Sequence, residues 1–476
     1  MALPSSRIPR RGPIRFASRT ALLTVLLTAM TAAPAVFAAP PRLADAIDTG
    51  PHLSLSGAVR SRYEQLDSSF RIAGVGAESV LATRTSVTAD LRMARLTGRL
   101  ELLDTRATAY DDARSIDTGL VNVLEPVNAW LGMRLGGDAA DEGVLVRAGR
   151  TARNLGSRRL LARPGFRNTA NTFTGVDARW QSGATTWTAL AYLPDDRRPL
   201  LPEVRDGSRF QLDEFDTERR LLGLFTTTRL GAKAGATDHL ELYVLHLHES
   251  DSAETPTTDR RLFTPGVRWW RPPAPAAIDW ELELIAQFGT SRATPLPSDR
   301  RDLDHRAAFV HAQVGWTSAA PTPLRISLEL EYASGDEDPD DGDNQRFTQL
   351  FGVTAGDTGP TSIYTAFPHA NLVIGTLRFA TEFDDRVDAE LSLRTAALAQ
   401  SRDAWVGTGL RDRTGNSGRD LGDQVELQVR WWLVPGTLHL EAGALHLDKG
   451  AFAREAPGAP SEDSVTYSWL ALEFVF

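Results

Sequence analysis

Arginines at every second position are the part of this sequence best equipped to do chemistry. "LSLSGAVRSRYE" sets Arg60, Arg62 and Glu64 against Leu53, Leu55, Gly57, Val59 and Tyr63. Following the same alternation onward collects Arg84, Arg92, Arg99, Arg134, Arg147 and Arg179, with Glu64, Asp90, Glu101 and Asp177 as the acids of that face. Further along, the balance reverses. Arg268, Arg325, Arg378, Arg394 and Arg430 share their face with Glu241, Asp279, Glu281, Glu283, Glu329, Glu331, Asp388, Glu390, Glu426, Glu441 and Glu473. A guanidinium holds a carboxylate or phosphate through a planar fork of donors, so the basic rows suit an anionic solute. The same arginines could instead pair with the acids opposite and stiffen a wall. The residue types alone leave both readings open, and Arg60, Arg62, Arg84, Arg99, Arg147, Arg179 and Asp177 stand as candidate solute contacts.

Other groups carry less. "SGDEDPDDGDN" (334–344) gives Asp336, Asp338 and Asp340 a Ca²⁺-loop spacing, but the glycine comes one position late and Phe347 stands where a bidentate Glu belongs. That segment reads as a solvated loop. His246 and His248 lie two apart on one strand face with no third ligand in view. "TGNSG" (414–418) misses a nucleophile elbow by one glycine, and no zinc-protease or phosphate-loop pattern occurs. Cysteine is absent, which removes disulfides and thiolate metal sites. No enzyme, cofactor, metal or nucleic-acid site is read from these residues.

The elements that would position the arginines are strands. Period-two alternation recurs along the chain in eighteen segments of about ten residues, starting near 53, 81, 96, 126, 144, 173, 184, 220, 239, 261, 278, 306, 323, 369, 386, 422, 437 and 464. Short gaps such as "QSGA", "SAAPTP" and "VPG" alternate with long ones at 154–172, 194–219, 249–260, 290–305, 334–368, 398–421 and 449–463. Alternating short and long connections mark an outer-membrane barrel, with one face of each strand toward lipid and the other toward water. Trp180, Trp269, Trp316, Trp431 and Phe476 fall at strand ends, as interfacial girdles require. The last stretch, "SVTYSWLALEFVF", puts Leu470, Leu472, Phe474 and Phe476 on one face, and pairing it with the first strand would close the sheet.

Residues 1–38 read as a secretory signal: Arg7, Arg10, Arg11, Arg15 and Arg19, then an apolar run from Ala21, then "AVFAAP" with a cut after Ala38. Losing those arginines moves the formal charge from −9 to −14. After Ala38 no apolar run reaches the roughly eighteen residues of a membrane helix. The expectation is therefore all-β: a transmembrane antiparallel up-and-down barrel of eighteen strands over 39–476, with both termini periplasmic.

Three stretches resemble the alginate export family of outer-membrane proteins. They are "VLVRAGRTARNLGSRRLLARPGFRNTANTFTGVDARW" (144–180), "LELEYASGDEDPDDGDNQRFTQLFG" (328–352) and the late strands "DLGDQVELQVRWWL" and "LHLEAGALHLDKGAF". The resemblance implies an eighteen-stranded barrel conducting an anionic polysaccharide in the outer membrane of a Gram-negative bacterium. The implied partners are membrane lipid, lipopolysaccharide and the outer-membrane assembly machinery, and no nucleic acid. It also singles out Arg150, in the Gly-Arg pair of the first stretch, as a solute contact. Strict alternation places Arg150 on the apolar face, so either a bulge turns it inward or it lies beyond the lipid band. A diffusion porin for small solutes is the alternative. Arg60, Arg84, Arg99, Arg147 and Arg179 are expected at the narrowest section.

Overall fold

The computed structural model describes residues 47–476 except 48, 73, 75–76, 111–115, 137–142, 234–235, 252–255 and 385. The signal segment 1–38 lies outside the described residues. Among these residues no helix is long and apolar enough to cross a membrane.

The chain forms one closed antiparallel barrel. Of the twenty strands among the described residues, two contain only two residues, Glu214–Phe215 and Asp343–Asn344, and the other eighteen make the wall. In chain order these are β1 (Leu53–Leu66), β2 (Glu78–Arg92), β3 (Leu96–Ala109), β4 (Asn122–Leu135), β5 (Val144–Thr151), β6 (Phe173–Ser182), β7 (Thr185–Asp196), β8 (Arg219–Lys233) and β9 (Ala236–Glu249). There follow β10 (Arg261–Arg271), β11 (Ile278–Ser291), β12 (Leu303–Thr317), β13 (Leu324–Ala333), β14 (Leu372–Phe383), β15 (Val387–Ala397), β16 (Asp420–Val434), β17 (Leu438–Lys449) and β18 (Ser464–Val475). Each pairs with its neighbours in sequence, and β18 pairs with β1 through Val59↔Phe474 and Tyr63↔Leu470. Closure leaves no free sheet edge, the condition for strands in lipid. Gly57 makes the seam possible. A Cβ there would meet the Phe476 ring at 2.6 Å, while the Gly57 amide donates to the Phe476 carbonyl at 2.8 Å.

Alternation decides which face each side chain takes. Leu100, Leu131, Leu222, Leu282, Leu328 and Leu470 are exposed on the outside, whereas Arg60, Arg62, Glu64, Glu101 and Asp177 on the opposite face are buried. A soluble protein would not display so continuous an apolar exterior; a lipid-facing wall requires it. Trp269 and Trp316 are exposed near strand ends, as the girdle reading expects.

The short connections all lie at one end and the long ones at the other. Several long connections do not extend into solvent. The 334–371 segment turns into the barrel and buries Phe347, Tyr364 and Phe367, and 398–419 adds Trp405 and Leu410 to the same apolar cluster. The 152–172 segment joins them: Phe351 donates to the Leu160 carbonyl at 3.0 Å, and the Ala162 amide donates to the Phe351 carbonyl at 3.1 Å. The acidic 334–344 stretch is thus only partly a solvated loop. Asp336 is buried, Asp338 pairs with Arg402 at 3.2 Å, and Asp340 pairs with Arg413. Arginines thus meet the carboxylates of Asp338 and Asp340.

Candidate functional site

The lumen-facing charges are held by adjacent strands at fixed register, so whether each pairs depends on what lies across the ladder or on an incoming loop. Most pair. Arg99 donates to Asp90 at 2.7 Å across β2–β3. Arg147 lies opposite Asp177 and donates to it at 2.9 Å, and Asp177 also accepts from Arg153 and from the Tyr192 hydroxyl, both at 2.7 Å. Arg62 pairs with Glu64 at 2.8 Å, with side chains only 1% and 0% exposed, which seals it from a passing solute. Arg179 is exposed to the lumen and forms no ion pair among the described residues.

Arg150 is not a lumen contact. No register shift occurs at Arg150 in the β4–β5 or β5–β6 pairing, so no bulge turns it. It is the penultimate residue of β5, at the long-connection end, where it pairs with Glu125 and Asp195 and donates to the Asp213 carbonyl. His246 and His248 lie at the long-loop end of β9; His246 is exposed, and the nearest partner of His248 is the Ser250 hydroxyl.

The acidic side is compensated by one loop residue that the alternation could not reveal. Arg159, only 5% exposed, reaches Glu281 at 2.5 Å, Glu283 at 2.6 Å and Asp357 at 3.0 Å. Burial alone would lower its pKa; Asp357, Glu281 and Glu283 outweigh that and hold it well above the ordinary arginine value. Arg268 pairs with Glu281, Arg325 with Asp279, Arg378 with Glu329 and Glu390, and Arg394 with Glu426.

Arg60 and Arg84 differ from these paired arginines. Each sits near the middle of its strand and faces the lumen, and neither has a carboxylate within 4.0 Å among the described residues. Arg60 donates to the carbonyls of Gly165 at 2.8 Å and Phe166 at 3.1 Å, and Arg84 to Gly165 at 3.2 Å. The partners are therefore neutral oxygens of the 152–172 loop. Beside them opens a cavity of about 420 Å³ lined by Arg60, Arg84, Arg158, Arg163, Ala58, Ser86, Asn154, Pro164, Gly165 and Glu473. That volume falls within the range of small-ligand sites, about 300–1,000 Å³. Arg163 is neutralised by Glu101 at 2.5 Å, and Glu473 stands 3.6 Å from His439. Arg158 forms no ion pair among the described residues. The cavity is thus lined by four arginines and one carboxylate.

Arg158, Arg159 and Arg163 were not among the candidates from strand alternation. The signal was present nonetheless: 152–172 contains five arginines and no acid, an unusual composition for a segment expected in solvent.

A closed eighteen-stranded barrel with an apolar exterior and a charged lumen defines an outer-membrane transport channel. The alginate export family pattern matches residues 52–466, and the chain belongs to that family. No curated protein sequence matches the chain. Among solved structures, the fold is similar to OccAB3 of Acinetobacter baumannii, at 10% identity and a TM-score of 0.55, covering 89% of this chain and 99% of that one. It is similar at the same 10% identity and TM-score of 0.55 to Pseudomonas aeruginosa OccK2 (OpdF) in complex with glucuronate, covering 89% and 98%. Pseudomonas aeruginosa OpdK with vanillate aligns at 9% identity and a TM-score of 0.54, covering 89% and 98%.

Proposed function

We propose that the barrel conducts an anionic polysaccharide or other anionic solute past Arg60, Arg84, Arg158 and Arg163, in the outer membrane of a Gram-negative bacterium. One observation carries this reading: Arg60 and Arg84 face the lumen with only carbonyl oxygens as partners, whereas most other lumenal arginines meet a carboxylate. A guanidinium held away from bulk water without a counter-charge is costly, and a carboxylate passing within reach offsets that cost. The effect is strongest where the lumen is narrow and water sparse. Membership of the alginate export family supports a polysaccharide cargo. Membrane lipid, lipopolysaccharide and the assembly machinery are the proposed partners.

A second reading, a diffusion porin for small acids, draws support from the two similar structures that hold glucuronate and vanillate, both carboxylates. Current block in a planar bilayer separates these readings. An oligouronate added to one side should interrupt the current in proportion to chain length, and a neutral oligosaccharide of equal length should not. The block should disappear in Arg60→Gln/Arg84→Gln. Block by monomeric uronate alone would favour the porin. Equal block by the neutral sugar would overturn the anionic reading.

A further inference from the structure

On the far side of the lumen from that cavity, a second cluster gathers an imidazole among carboxylates. His311 lies on β12, Glu329 and Glu331 on β13, and Asp357 on the 334–371 segment. A His311 ring nitrogen, a Glu329 oxygen and an Asp357 oxygen all lie within 4.8 Å of one another. His311 Nδ1 stands 3.8 Å from Glu329 Oε1 and 3.8 Å from Glu331 Oε2. His311 Nδ1 and Glu331 Oε2 have no hydrogen-bond partner, although both side chains are only 1% exposed. Two facing polar atoms, dry and unbonded, are the pattern that buried groups avoid. At 3.8 Å they are too far apart to bond each other directly. Donor atoms sharing an ion at about 2.0–2.2 Å are separated by somewhat less than that, within reach of a small contraction.

The charge count points the same way. Glu281, Glu283, Glu329, Glu331, Asp357 and Glu390 converge here, and among the described residues their guanidinium partners are Arg159, Arg268 and Arg378. His369 is already engaged through both ring nitrogens, at 2.6 Å to Glu331 Oε1 and 3.2 Å to the Val353 carbonyl. It leaves Glu331 Oε2 unbonded and orients that carboxylate from behind, as residues around a metal centre do.

The geometry points to a divalent-cation site formed by His311, Glu329 and Asp357, with Glu331 as the next donor. One imidazole among carboxylates suits Zn²⁺ or Mn²⁺ better than Ca²⁺, which takes oxygen ligands only. Because Asp357 comes from the inward loop and the other ligands from the wall, the ion fastens the 334–371 segment to the barrel. The inference is independent of the anion reading: a channel with no anion preference could still bind one ion here.

The test uses the folded full-length barrel, purified in detergent, stripped with a chelator and titrated separately with Zn²⁺ and Mn²⁺ by calorimetry. One ion per barrel is expected, with affinity reduced more than about tenfold in both His311→Ala and Asp357→Asn. In bilayers, chelator should increase current fluctuations of the wild type and leave Asp357→Asn unchanged. Heat-dependent gel mobility verifies that each variant is folded; if His311→Ala is not, Asp357→Asn decides, because its residue lies outside the wall strands. Absence of binding would overturn the site. So would binding that both variants retain, which would place the ion on exposed histidines such as His246.

Discussion

Where Arg159 meets Glu281, Glu283 and Asp357, charge meets charge; where Arg60 and Arg84 meet Gly165 and Phe166, the same loop offers only carbonyl oxygens. The 152–172 segment thus treats the two sides of the lumen differently. On the acidic side it delivers a cation and locks itself to the wall. On the basic side it fixes two guanidiniums in place without cancelling them. The contrast separates arginines that hold the barrel together from arginines left available to something passing through, a distinction that a count of lumenal charges cannot make.

The largest effect should come from cutting the lock. Arg159→Gln leaves Glu283 and its neighbours buried without their cation, and removing one partner of a buried pair costs about 3–5 kcal/mol. The barrel strands should survive, because their ladder does not depend on the loop. Single-channel conductance should increase and become noisy as 152–172 loses its anchor. A variant with wild-type conductance and quiet traces would show that apolar packing, not charge, anchors the loop.

A smaller effect is expected from Arg163→Gln. It frees Glu101, which keeps the 2.7 Å bond from Asn128 and is near enough to Arg84 to act on it electrostatically. A buried carboxylate stripped of one partner is penalised by about 1–3 kcal/mol. Anion preference should fall while conductance changes little. An unchanged reversal potential would indicate that Glu101 does not face the ion path.

Arg99→Gln should do least. Its pair with Asp90 is 37% and 16% exposed, and such pairs contribute at most about 1 kcal/mol. Selectivity and heat resistance should both stay near wild type. A marked loss of anion preference would move Arg99 from the paired to the available class and blur the contrast.

The wall was legible in the sequence because alternation is a local property. All eighteen expected starts fall within four residues of those observed. The largest error is informative: β4 was expected from 126 and begins at Asn122, because register shifts around Val127 and near Asp104 break the period exactly where alternation would be read. Arg150 was ambiguous for a related reason, since alternation carries no information about height in the membrane. The inward loops were hidden. Phe347, Tyr364, Phe367 and Trp405 are scattered through Gly- and Asp-rich segments without any period, and only their meeting in the lumen makes them a core. Of the candidate arginines, pairing across strands was foreseeable in type but not in partner, and Arg158, Arg159 and Arg163 needed the loop's fold to bring them to the site.

The account is tested most directly by the reversal potential of the reconstituted channel under a salt gradient, measured for the wild type and for Arg60→Gln/Arg84→Gln. The wild type should prefer anions at low salt, with the preference shrinking as salt rises and screening shortens the reach of each charge. The double variant should lose that preference while conducting at a similar level. A wild type that prefers cations, with a reversal potential the two substitutions do not move, would contradict the claim that Arg60 and Arg84 are held open for an anion.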